Sequence, residues 1–203
     1  MEKPKAVVFD LGKVLLDFDY QRVVEKMLQH CRMAQGELLK VLNQSPLLFR
    51  YETGLMTTSE FFAEVKKASG FCRELGDFEP MFGDIFQPIP EMIELNASLR
   101  KAGLPTYIFS NTNDMAVKHI RRSYPFFQNF TAHVLSYEHG CMKPDARIYD
   151  IVEKITGERG PSLMYIDDRL ENVEVGERHG WQVIHHQNTQ QTIERVTAAF
   201  GLG

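Results

Sequence analysis

The stretch that decides the fold is Ala6-Val7-Val8-Phe9-Asp10-Leu11-Gly12-Lys13-Val14. Four apolar residues run without interruption into an aspartate and, two positions later, a glycine. A run of this length closed by turn-forming residues predicts a strand buried on both faces, as inside a parallel sheet. Four later runs read the same way: Pro105 to Phe109, Ala132 to Ser136, Leu163 to Ile166 and Gln182 to Ile184. Helical patterns lie between them, over Glu91 to Ala102, Asp114 to Ser123, Ala146 to Thr156 and Glu171 to His179. Each closes near a breaker: Gly103, Pro125, Gly157 and Gly180. Strands alternating with helices predict an α/β fold around a parallel sheet.

Residues 20–86 break this rhythm. The segment is rich in Leu, Glu, Lys, Gln and Met and shows no strand pattern. Leu38, Leu39, Leu42 and Leu48 fall near helical spacing, as do Phe61, Phe62 and Val65, and Thr58-Ser59-Glu60 is placed to open a helix. The expected organisation is an α/β core of residues 1–19 and 87–203 with a helical insertion over 20–86.

Composition sets the outer limits. The chain has 203 residues, 43% hydrophobic and 25% charged, which fits one globular core with an insertion. It can bury a core without disulfide or metal staples. A net charge of −4 gives no electrostatic case for nucleic acid. Cys31, Cys72 and Cys141 stand far apart and are odd in number, so free thiols in a reducing compartment are expected. No apolar stretch approaches the ~20 residues of a membrane span. The short apolar run after Lys5 does not make a signal peptide. The expected location is the cytoplasm. Sequence gives no oligomeric state.

In a parallel α/β sheet, ligands bind beyond the carboxyl ends of the strands. Asp10 follows the first strand. Ser110-Asn111-Thr112 follow the second, Lys143-Pro144-Asp145 come after the third, and Asp167-Asp168 follow the fourth. Three carboxylates with backbone oxygens form a hard oxygen site suited to Mg²⁺. A lysine and a hydroxyl beside such an ion can hold phosphoryl oxygens. A carboxylate can itself be the nucleophile and form an aspartyl-phosphate. The sequence contains no Gly-x-Ser-x-Gly, no Gly-x-x-x-x-Gly-Lys and no Gly-x-Gly-x-x-Gly.

The order Phe-Asp-x-Gly, Ser-Asn-Thr, Lys-Pro-Asp and Ile-Asp-Asp, with Asn172 beyond, resembles the haloacid dehalogenase superfamily from Lys5 to about Ile184. The opening Phe9-Asp10-Leu11-Gly12-x-Val14-Leu15-x-Asp17, Tyr51-Glu52-x-Gly54 and Lys143-Pro144-x-x-Arg147-Ile148-Tyr149 are similar to its bacterial α-D-glucose-1-phosphate phosphatase branch. The resemblance implies a Rossmann-like core with a C1-type cap over residues 20–86, and a Mg²⁺-dependent phosphatase acting on small phosphorylated metabolites such as sugar phosphates. It implies that Asp10 attacks phosphorus, that Ser110, Asn111 and Lys143 bind the phosphoryl group, and that Lys143 also neutralises Asp10. It assigns the metal to Asp10, the Gly12 carbonyl, Asp167 and Asp168. Asn172 would orient these groups, and Glu52 and Gly54 of the cap would face the substrate.

One position departs from the pattern. Most phosphatases of the superfamily carry a second aspartate two residues after the nucleophile, as acid and base. Here it is Gly12. The missing acid predicts a steep dependence of rate on leaving-group acidity and a preference for anomeric over primary sugar phosphates. Asp17 and Asp19 are the nearby carboxylates. Two rival readings follow: a metal-free 2-haloacid dehalogenase, against which the Asp167-Asp168 pair argues, and a catalytically weak binding or regulatory protein, supported by Gly12 alone.

Overall fold

The computed structural model describes residues 2–202. Five parallel strands form one sheet: β1 (Ala6–Phe9), β4 (Thr106–Ser110), β5 (Ala132–Leu135), β6 (Leu163–Asp167) and β7 (Gln182–His185). The order is β5-β4-β1-β6-β7, so β1 is central. Val7 and Phe9 point into one core cluster, with Ile108, Ile166, Val117 and Val196. Ala6 and Val8 point into another, with Phe109, Tyr165, Tyr149 and Trp181. Alternate residues of a strand face opposite sides, so a strand covered on both faces must be apolar throughout.

Two short strands, β2 (Leu16–Phe18) and β3 (Phe86–Pro88), were not expected from the sequence. They pair antiparallel, Phe18 opposite Phe86 and Leu16 opposite Pro88. Between them run five helices: α1 (Tyr20–Leu28), α2 (Gln35–Leu42), α3 (Pro46–Glu52), α4 (Thr58–Ser69) and α5 (Leu75–Gly83). They bury a cluster of their own, including Val24, Met27, Leu38, Phe61, Phe78 and Phe82. Thr57 caps α4 in a reciprocal box with Glu60, one residue ahead of the expected opening.

The remaining helices cover the sheet: α6 (Pro90–Lys101), α7 (Asp114–Ser123), the one-turn α8 (Ser136–His139), α9 (Ala146–Thr156), α10 (Leu170–Arg178) and α11 (Thr189–Phe200). No helix among the described residues is long and apolar enough to cross a membrane.

Candidate active site

Asp10 is the first residue beyond β1 and is 7% exposed. Its Oδ1 accepts from the Leu11 N–H at 2.7 Å and lies 3.0 Å from Lys143 Nζ. Lys143 is 3% exposed, and its ammonium also donates to Asp167 Oδ2 at 2.6 Å and to the Phe109 carbonyl at 2.9 Å. The faces of Phe109 and Tyr165 lie beneath it, with centroids 4.8 and 5.8 Å away. One buried ammonium thus has three oxygen acceptors, which satisfies its donors and fixes it between β1, β4 and β6.

Asp167, fully buried, ends β6. Its oxygens accept from Lys143, from the Tyr165 hydroxyl, from Asn172 Nδ2 at 3.0 and 3.1 Å, and from the Arg169 N–H at 2.8 Å. Against the upward push of burial, the Lys143 charge and the hydrogen bonds from Lys143, Tyr165 and the Arg169 N–H hold its carboxyl below the ordinary value. Burial raises Asp10 to about 8, with Lys143 opposing and Asp167 adding to the rise. Burial and the Asp167 charge raise Asp168 as well. Ligand oxygens of Asp10, Asp167 and Asp168 lie within 4.8 Å of one another. Three carboxylates beside a single ammonium leave two negative charges uncompensated when all are ionised. An oxygen set of that charge fits a hard divalent cation such as Mg²⁺.

The phosphate-binding candidates lie on the same sheet edge. The Asn111 side chain clamps the Lys143 peptide, donating from Nδ2 to its carbonyl at 2.9 Å and accepting from its N–H at 2.8 Å. Asn111 therefore has its backbone N–H to offer a phosphoryl oxygen. Ser110 is buried at the end of β4, its hydroxyl 3.3 Å from the Asn111 carbonyl. Arg147 pairs with Asp145 on the surface.

A cavity of about 430 Å³ opens over Asp10, bounded by Gly12, Lys143 and Asp168 on the core side and by Asn43, Leu48, Phe49 and Glu52 on the helical side. A second, smaller cavity of about 50 Å³ reaches Ser110 and shares Gly12, Phe18, Tyr20, Glu52 and Asn111 with the first. Glu52 is on the wall of both. Gly54, read from sequence as substrate-facing, lines neither. It ends α3 instead, with φ +72°, and a Cβ there would stand 2.1 Å from the Tyr137 carbonyl oxygen. Gly54 donates to the Tyr51 carbonyl and Leu55 to that of Arg50, the paired bonds of a left-handed helix stop.

At position 12, the expected place of an acid, a Cβ would lie 2.7 Å from the Phe18 ring. Asp17 is exposed and bonded to Lys13, and that hydrogen bond lowers its carboxyl from the ordinary value. Asp19 caps α1 by accepting from the Gln21 N–H at 2.8 Å. Sequence reasoning missed Tyr165, Arg169, Ser136 and Phe18. Tyr165 carried a signal: two residues before Asp167 on one strand, it must share its face. Ser136 joins the core to the helical segment, its hydroxyl 2.5 Å from the Glu52 carbonyl oxygen and accepting from the Thr112 N–H at 2.9 Å.

A model of the haloacid dehalogenase-like hydrolases matches residues 4–180. The chain belongs to this hydrolase family. It is 22% identical over 200 residues to the D-ribitol-5-phosphate phosphatase of Bacteroides thetaiotaomicron, covering 95% of this chain and 97% of the relative. It is 23% identical over 199 residues to the sesquiterpene phosphatase astK of Aspergillus oryzae, covering 97% of each. A haloacid dehalogenase family enzyme from B. thetaiotaomicron, crystallised with magnesium and inorganic phosphate, matches with a TM-score of 0.80 at 23% identity, over 89% of this chain and 93% of that one. L-2-haloacid dehalogenase from Xanthobacter autotrophicus matches with a TM-score of 0.66 at 22% identity, over 95% and 81%. These structural likenesses speak for the shared hydrolase fold.

Proposed function

We propose that this family member is a Mg²⁺-dependent phosphatase of small phosphorylated metabolites, sugar and polyol phosphates among them, working through an aspartyl-phosphate on Asp10. The observation that carries the reading is the Lys143 ammonium bridging Asp10 and Asp167 beside a third carboxylate. That excess of negative charge, two of its three carboxylates buried, calls for a cation, and a 2-haloacid dehalogenase has no use for one. The phosphatase relatives support the same reading.

Asp10, the Gly12 carbonyl and Asp168 would hold the ion directly. Asp167, whose oxygens already accept four protein groups, would hold it through water. Bound there, Mg²⁺ supplies charge stabilisation to the transferring phosphoryl group. Asp10 attacks phosphorus from a position fixed by Lys143 and the Leu11 N–H. The Asn111 N–H and the Ser110 hydroxyl receive phosphoryl oxygens, and the charge of the Lys143 ammonium stabilises them. The helical segment over residues 20–86 acts as a cap, limiting substrates to what the cavity admits and excluding bulk water.

The test is hydrolysis of an aryl phosphate, followed by a panel of sugar and polyol phosphates. Activity is expected to vanish in chelator and to return with Mg²⁺. Asp10→Asn is expected to fold and to lose at least about 10³-fold in turnover, because an amide is a poor nucleophile. Full activity in excess chelator, or near-normal turnover of Asp10→Asn, overturns the proposal.

A further inference from the structure

Splitting an unactivated phosphate ester requires a proton on the departing oxygen, and a positioned acid contributes about 10²–10⁴-fold. Gly12 offers none, and the Phe18 ring fills the adjoining space. The acid must come from elsewhere on the cavity wall.

Most titratable groups there are committed. Asp10 is the nucleophile and Asp168 a metal ligand under the proposed function, on which this inference rests. Lys143 has its three acceptors. Lys13 bonds Asp17 and the Phe18 carbonyl. Arg169 pairs with Glu171 and is permanently cationic. Asp19 is engaged as a helix cap. Burial, with the Glu52 charge adding, pushes Tyr20 well above its ordinary value, too weak an acid for this task.

Glu52 differs from all of these. Among the described residues its carboxylate has no hydrogen-bond or ion-pair partner, yet its backbone is pinned. The Glu52 carbonyl contacts Ser136 Oγ, and Gly54 packs on the Tyr137 carbonyl two residues later. The side chain is half-buried and bounds both cavities, on a wall shared with Gly12 and Asn111. We infer that Glu52, on the helical segment, is the general acid and base of this site, in place of the residue that Gly12 lacks.

The step balances. An Asp10 oxygen bonds to phosphorus, and the bond from phosphorus to the ester oxygen breaks. That oxygen keeps the electron pair and takes the Glu52 proton. In the second half, water attacks phosphorus and gives a proton to the Glu52 carboxylate. The bond from phosphorus to Asp10 breaks, its electron pair returns to the Asp10 carboxylate, and phosphate leaves. Burial raises Glu52 to about 7, with Arg169 working against the rise, so both forms are available near neutrality. The titratable and charged groups that line the same cavity are Arg169 before α10, Asp19 and Tyr20 at the start of α1, Lys13 before β2, and Asp10, Lys143 and Asp168 on the sheet edge.

The experiment compares wild type and Glu52→Gln, both Mg²⁺-loaded, on phosphate monoesters graded from alkyl to 4-nitrophenyl. Rates are taken from pre-steady-state release of the alcohol, where transfer to Asp10 is observed. Glu52→Gln is expected to lose about 10²–10³-fold in rate on alkyl esters and less than about tenfold on the nitrophenyl ester, with little change in KM. The high-pH fall in the wild-type rate on alkyl esters should be absent from the variant. Equal losses across the series, a loss confined to KM, or undiminished alkyl turnover overturns the assignment while the phosphatase reading stands. A wild type with no Mg²⁺-dependent hydrolysis of any ester overturns both.

Discussion

Phe18 controls what position 12 can be. A side chain there would meet its ring at 2.7 Å, so Gly12→Asp must either displace the ring or distort the loop that follows Asp10. From sequence alone, this substitution is expected to raise turnover of alkyl relative to aryl phosphates if the new side chain fits beneath the cap. The packing reverses that expectation: Gly12→Asp should lower turnover on both ester classes and cost about 1–3 kcal/mol of stability through overpacking. Adding Phe18→Ala should recover part of the stability. Chemical denaturation and kinetics of the single and double variants check this, and a fully stable, fully active Gly12→Asp would refute it. The position of Asp10 could be read from its place at a strand end. The clamp of Asn111 on the Lys143 peptide could not, because 32 residues separate the partners and only the fold joins them.

At the scale of elements, the end of α3 joins the helical segment to the core. Its stop uses a left-handed Gly54 packed on the Tyr137 carbonyl, two residues past the Glu52 carbonyl that meets Ser136. Gly54→Ala meets two obstacles, a positive φ costing about 1–2 kcal/mol and a backbone contact that only movement can relieve. The expected result is a destabilised protein with kcat lowered at least about tenfold, since small misplacements at a site are costly. Kinetics and thermal melts of the variant test this, and wild-type kcat would refute it. The tyrosine, glutamate and glycine of this turn stood out in the sequence, but the glycine's reason was geometric rather than a contact with substrate. The β2–β3 ribbon left no legible signal. Three residues per strand are too few to show alternation, and Pro88 argues against a strand until its edge position is known.

Across the whole molecule, stability should respond to pH through the crowded carboxylates. Burial gives Asp10 a folded value of about 8 against 3.8 ordinarily, and Glu52 about 7 against 4.5. Between each pair of values the folded protein holds a proton that the unfolded chain has released. Stability therefore falls as pH rises through that window. Asp167 has the opposite sign, its contribution being lost as pH falls below the ordinary carboxylate range. Metal-free protein should lose at least about 5 °C in Tm between about pH 5 and pH 9, at about 2–4 °C per kcal/mol. Mg²⁺ should raise Tm most at the alkaline end, and Asp10→Asn should flatten the metal-free slope above about pH 7. A slope indifferent to both would refute the account. By itself the sequence determined the parallel sheet, the helical break after β1 and the set of strand-end residues, because burial on two faces imposes unbroken apolar runs and strand polarity puts their ends on one edge. Only the tertiary structure decided that Asp167 is saturated by donors, that Phe18 closes the space beside Gly12, and that Glu52 reaches the cavity wall. Those facts depend on side chains brought together from distant segments, where no local pattern constrains them.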